Sequence, residues 1–509
     1  MTNAPLLLGI DTGLTLTKAV AFDLSGREIA RGEARVPQST PQPRWVERDM
    51  EDAWQGVVDS VRQVLDSGDV SADQIVGIGL SAHGDSLFPI DANGRPIRPA
   101  ILSLDSRAHT VIERWRTEAT LEQALPLTGQ VPFASALPAL LAWLVENDPD
   151  SAAHMRWALG CKDWTRFKLT GTIGTDFIES SGGFCDIQSQ TVSAEAFDLF
   201  GLGDISSRIP EATPCLEIAG TLTDEAARLT GLRAGTPVTA GLHDVAASAI
   251  GAGCVHPGQL AMVAGTWSIN LVVADQPATD PRWVCRNFVE PGQWFSAAWS
   301  PASATNLEWF VTEFCAEEVK AAISAGISPY QFVNDEAGAI WDQPSDLFFH
   351  PFLYGSPHGD HASAGLFGMR GWHKRGHVLR AILEGITFNH KTHVDALKSK
   401  FPISEARLTG GGAQSVLWSQ LFADALGIPV VITDAREAGA RGAALCAGVA
   451  VGIYPTLPAA TDQATRILRR HEPDAKRHEQ LQSSYATYLR LVEALGPVWM
   501  SMDLSAAAP

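Results

Sequence analysis

Long apolar runs are missing from this chain. No uninterrupted stretch reaches the ~20 residues a bilayer-spanning helix needs, so no membrane contact is expected. The N-terminus also lacks a basic segment followed by an apolar one, so no secretory signal is expected. Cysteine is sparse: Cys161, Cys185, Cys215, Cys254, Cys285, Cys315 and Cys446 are scattered, without a CxxC pair. That pattern excludes a zinc site or a disulfide scaffold and fits a reducing cytoplasm, the expected location. Positive charge is short as well. Thirty-eight Lys and Arg face 57 Asp and Glu, a net −19, which argues against nucleic acid or an anionic lipid surface as partner. Tyrosine is scarce (5) beside 15 tryptophans, most of which read as core or interface fillers rather than sugar-stacking platforms.

What is present is an ordinary globular composition spread over 509 residues, too many for one hydrophobic core. The opening stretch LGIDTGLTLTKAVAFD (8–23) alternates apolar and polar residues on both sides of Asp11-Thr12-Gly13, which predicts a β-hairpin. Its tip offers a carboxylate, hydroxyls and free N–H groups, a set that suits a phosphate with Mg²⁺. A surface hairpin would use the same Asp and Gly simply to turn. The stretch LAMVAGTWSINLVV (260–273) repeats the pattern, with Thr266 falling where Thr12 falls in the first hairpin. Two such hairpins, each opening a similar half of the chain, suggest a duplicated fold whose tips clamp a polyphosphate.

Between them, the periodicity predicts a helix over 51–66 and a strand, polar turn and short strand over 75–91, with His83 and Asp85 in the break. Asp105 and Arg107 end another apolar run, 110–171 reads as largely helical, and 172–235 as loops and short elements. A strand entering TPVTAGLHDVAASAIGAG (236–253) meets His243 and Asp244 at the start of a small-residue helix, where Asp244 is either an N-cap or a carboxylate at the mouth of a cleft. Farther on come a long helix at about 375–398 and ARLTGGGAQSVLWSQLFADALGIPVVI (406–432), a strand, a triple-glycine loop, a helix and a strand. Three glycines before a helix let the backbone approach a ligand at the helix N-terminus. The spacing is neither GxGxxG nor GxxxxGK[ST], so Rossmann and Walker sites are excluded. A tightly packed helix through Gly439, Gly442 and Gly448 follows, then a helical tail over 475–495 and an Ala-rich stub. His350, His358 and His361 with Asp360 match no standard metal-ligand spacing.

Taken together, these motifs resemble the FGGY family of carbohydrate kinases, of the actin–hexokinase–Hsp70 fold group, from about Leu6 to about Tyr454. AGLFGMRGWHKRGHVLRAILE (364–384) is the most specific match, joined by LTGGGAQSVLWSQLFADALGIPV, AGLHDVAAS and the DTG and AGTW hairpins. The resemblance implies an α/β chain of two RNase H-like domains with a cleft between them, divided as 1–252 and 253–509. It also implies transfer of the γ-phosphoryl group of ATP to a sugar hydroxyl. By the same resemblance Asp244 looks like the general base, and Asp11 with Asp244 the carboxylates acting on Mg²⁺ through water. Thr12, Gly13, Thr15 and Lys18 match the first phosphate loop, Gly265 and Thr266 the second, and Gly410, Gly411 and Ser415 the adenosine site. His83, Asp85, Asp105 and Arg107 match the sugar site. Ser103 stands where xylulokinases and glycerol kinases usually carry Trp, and Gly84-Asp85 where glycerol kinases carry Arg-Glu, so glycerol is disfavoured. The LSxDxRA form, WVERDMEDAWQ (45–55) and NLEWF (306–310) look most similar to L-xylulose (3-keto-L-gulonate) kinases, with erythritol kinases next and D-xylulose and erythritol the runner-up substrates. The expected partners are therefore a ketopentose-like sugar and ATP; a homodimer is left open. An Hsp70- or actin-like ATPase would show sugar-independent turnover, and a sugar sensor would bind without turnover.

Overall fold

The computed structural model describes residues 4–343, 345–359 and 361–502, so Asp360 and the Ala-rich stub lie outside the described residues. The chain forms two compact units, and neither is one continuous segment. One comprises residues 1–257, 273–296 and 437–465; the other comprises 258–272, 297–436 and 466–509. The chain passes from one unit to the other several times.

In the first unit, strands Leu6–Thr12 and Leu16–Phe22 form the expected antiparallel hairpin. Glu28–Arg35 continues it antiparallel on one side, and Ile75–Ala82 runs parallel to the opening strand on the other. Pro237–Thr239 and then Ile218–Thr221 extend the sheet beyond that. The opening strand is buried at nearly every position, and apolar up to Ile10, because helices cover both of its faces. Helix Met50–Asp66 covers one side with Trp54, Val57, Val58 and Val61. The small-residue helix Ala438–Ala450 covers the other, so closely that a Cβ on Gly9 would lie 1.9 Å from the Ala440 carbonyl oxygen.

The second unit repeats the topology. Gln259–Ala264 pairs antiparallel with Ser268–Ala274 and parallel with Glu405–Gly410, which in turn pairs parallel with Val430–Thr433. Its long helix spans Arg375–Lys398 and is buried along most of its length. The tail helix runs beyond the expected end, from Ala475 to Ser501 through Pro497. Among the described residues no helix is long and apolar enough to cross a membrane.

Candidate active site

In the first unit the site begins at the C-terminal ends of parallel strands. Asp11 stands opposite Lys18 in the hairpin and level with Ser81 of the neighbouring strand. Space for its carboxylate comes from Gly439 near the start of helix Ala438–Ala450, where a Cβ would lie 2.5 Å from Asp11 Oδ2. Asp11 Oδ1 is buried without a hydrogen bond, as is Thr12 Oγ1. Burial and then the nearby charge of Asp244 push the Asp11 carboxyl up to about 6. Gly13 closes the turn with its N–H on the Leu16 carbonyl, and Thr15 is exposed beside it. Lys18 does not point free into the turn: its Nζ lies 2.7 Å from Glu437 Oε2, and Arg31 holds the other oxygen of Glu437.

Leu242–His243 joins the same sheet parallel to Ser81–Ala82, which brings Asp244 beside the 83–86 turn. His243, not Asp244, is the N-cap of helix Asp244–Gly251; Asp244 is the first helical residue, where the helix dipole favours a carboxylate. His83 is buried, with Nε2 unpartnered, and burial lowers its imidazole to about 4, so the ring is neutral at pH 7. Asp85 adopts φ +53 and lies 2.7 Å from Arg286 Nη2, while Arg286 Nε donates to Gln130 Oε1 at 2.9 Å. Burial would raise the Asp85 carboxyl, but Arg286 and His243 hold it well below the usual carboxylate range.

Asp105 and Arg107 do not join this network. Arg107 grips Asp105 through Nε and Nη2, reaches Glu47 at 2.9 Å and stacks over Trp45, while its Nη1 is buried without a hydrogen bond. Arg286 and Gln130, by contrast, escaped the sequence reading. The one signal was an arginine in the short strand Val284–Asn287, which is buried throughout.

The second unit holds its own cavity of about 410 Å³, lined by Gly265, Thr266, Gly411, Ser415 and Trp418 among others. Gly410 (φ +83) lets its strand turn where a Cβ would meet the Ala264 carbonyl oxygen at 2.6 Å, so the hairpin tip and the glycine turn sit against one another. Ser415 caps helix Val416–Leu426 by accepting from Trp418 N–H and donates to Asn334 Oδ1 at 2.5 Å. Apolar Leu307, Val333 and Leu383 complete walls suited to a flat heterocycle above a glycine-lined floor. Asn334 and its neighbours come from a segment that carried no motif in the sequence.

No group of three or more His, Cys, Asp or Glu suited to a metal occurs among the described residues. His350 is instead a core ring, stacked on Phe352 and facing the Tyr488 carbonyl.

The sequence matches the models of the FGGY family of carbohydrate kinases, the N-terminal domain over residues 6–251 and the C-terminal domain over 260–451. It is 35% identical to the L-xylulose/3-keto-L-gulonate kinase of Escherichia coli K12, over 96% of this chain and 97% of that protein. It is 34% identical to a probable L-xylulose kinase of Pasteurella multocida, over 96% and 98%. Among solved structures, xylulose kinase from Rhodospirillum rubrum superposes with a TM-score of 0.86 at 26% identity, covering 97% of this chain and all of that one (100%).

Proposed function

This chain belongs to the FGGY family of carbohydrate kinases, and on that premise we propose that it transfers the γ-phosphoryl group of ATP to a hydroxyl of a ketopentose, L-xylulose in the first instance. The observation that carries the chemistry is Asp244: a carboxylate 38% exposed at a helix start, beside a buried turn with an unpartnered His83 nitrogen. The choice of L-xylulose rests on the kinases of that name found similar over nearly the whole chain.

Phosphoryl transfer requires an in-line hydroxyl, stabilised phosphate oxygens and a base close to the attacking oxygen. In this reading His83 hydrogen-bonds the sugar, and Asp244 takes the hydroxyl proton as the new O–P bond forms and ADP leaves. Backbone N–H groups around Gly13 and Gly265, with Thr12 and Thr266, bind phosphates. The pocket at Gly410, Gly411 and Ser415 receives the adenosine. The buried, unpartnered Asp11 Oδ1 fits a hydrated Mg²⁺, which Asp11 and Asp244 would hold. When bound, Mg²⁺ neutralises phosphate charge. Lys18, committed to Glu437, serves chiefly to fix the hairpin.

Asp244→Asn is expected to lower kcat by about 10²–10⁴-fold with the sugar KM little changed. An ADP-release assay over pentuloses, 3-keto-L-gulonate, pentitols and tetritols tests the acceptor. Turnover on tetritols but not on L-xylulose would overturn that choice, and near-normal turnover of Asp244→Asn would remove the base.

A further inference from the structure

The two oxygens of Asp244 are not equivalent. Oδ1 accepts from the Val245 N–H at 2.7 Å and lies 2.9 Å from His243 Nδ1. Oδ2 makes no hydrogen bond among the described residues. The His243 ring is 7% exposed, and its Nε2, buried without a hydrogen bond, faces the Asp85 carboxylate across 3.6 Å. Asp85 is in turn anchored by Arg286, whose side chain is wholly buried and braced by Gln130. Glycine at 84 is a condition of this arrangement, since a Cβ there would lie 2.2 Å from the ring's Cδ2 and Nε2. The other charges near the ring, Glu179 and Lys162, pair with each other at 2.8 Å.

Burying the Asp85 carboxylate, an imidazole and a guanidinium has a desolvation cost that apolar packing would avoid. The chain of contacts ends on Oδ1 of Asp244, the oxygen that also accepts from the Val245 N–H. A carboxylate rotates easily about its last bond, and without the ring only the Val245 N–H would hold Oδ1. We propose that His243 is a positioning residue: it ties down Oδ1 of Asp244 so that Oδ2 faces the sugar hydroxyl, while Asp85 and Arg286 fix the ring from behind. This inference rests on the reading of Asp244 as the base. It makes Gly84-Asp85 part of the catalytic support, and it predicts that losses here fall on kcat rather than on sugar binding.

The test is steady-state kinetics with L-xylulose and ATP on His243→Gln, Asp85→Asn, their double variant and Asp244→Asn, with folding checked by near-UV circular dichroism. A misplaced reacting group costs on the order of 10²-fold, so His243→Gln should lose about 10–10²-fold in kcat at unchanged sugar KM. Asp85→Asn should lose less, and the double variant no more than His243→Gln. If His243→Gln does not fold, Asp85→Asn, nearly the same shape, carries the same kcat-against-KM comparison. Wild-type kcat, a rise confined to KM, or losses that multiply in the double variant would each overturn the proposal. Inactive Asp244→Asn beside an unimpaired His243→Gln would sink this inference alone. Normal turnover in Asp244→Asn would take away the base and this inference with it.

Discussion

Two glycines on the same helix–sheet contact make opposite demands of a methyl group. At Gly9 an added Cβ meets a backbone carbonyl at 1.9 Å, which cannot move without shifting helix Ala438–Ala450. Gly9→Ala should therefore destabilise by about 1–3 kcal/mol or more, as overpacking does, visible as a lower Tm. At Gly439 the obstacle is only the tip of Asp11, 2.5 Å away. There the helix gains roughly 0.5–1 kcal/mol of propensity while Asp11 is pushed from its place. Gly439→Ala should keep or raise Tm and lose at least about tenfold in kcat, on the ~10²-fold scale of a displaced reacting group; full activity with a lowered Tm would show that Asp11 is not the group displaced. Asp11, Gly13 and Asp244 could be picked out in the sequence because turn chemistry is local. The partners of Lys18 and Asp85 could not, since Glu437 lies 419 residues from the first and Arg286 201 from the second.

At the scale of elements, helix Arg375–Lys398 was legible to its ends from apolar periodicity, and both Gly-Thr hairpins from alternation. Periodicity does not reveal the polar groups such a helix buries. His390 bonds Asn270 Oδ1 and Ser303, and His393 bonds Ser300; burial lowers both imidazoles to about 3. An unfolded histidine titrates near 6.5, so here the folded value is the depressed one. Their contribution to stability is then fully present above pH ~6.5 and is lost as pH falls toward the folded values, by up to about 1.4 kcal/mol per pH unit for each ring. Urea midpoints should drop between pH 7 and pH 5, and His393→Gln should flatten that slope. An unchanged slope in the variant would mean that the ring is not neutral in the fold. The N-cap at His243 shows the opposite limit: sequence marks where a helix starts only to within a residue, because His243 and Asp244 can both cap.

For the molecule as a whole, the discontinuous units predict that the first half of the sequence does not fold alone. A fragment of residues 1–252 would lack helix Ala438–Ala450, which lies against Gly9, Gly79 and Gly251 at backbone contact. It should fail to unfold cooperatively, and a well-dispersed amide spectrum from that fragment would contradict the division into units seen here. The sequence by itself determined the α/β class, the duplicated hairpin topology, the family and the acidic residues at the turns, because alternation, periodicity and glycine placement are properties of neighbouring residues. Only the tertiary structure decided that Asp105 and Arg107 serve each other, that Lys18 answers to Glu437 and that Asp85, Arg286 and His243 converge behind Asp244. Those pairings join residues far apart along the chain, and a charge carries no local mark of the partner that burial will require it to find.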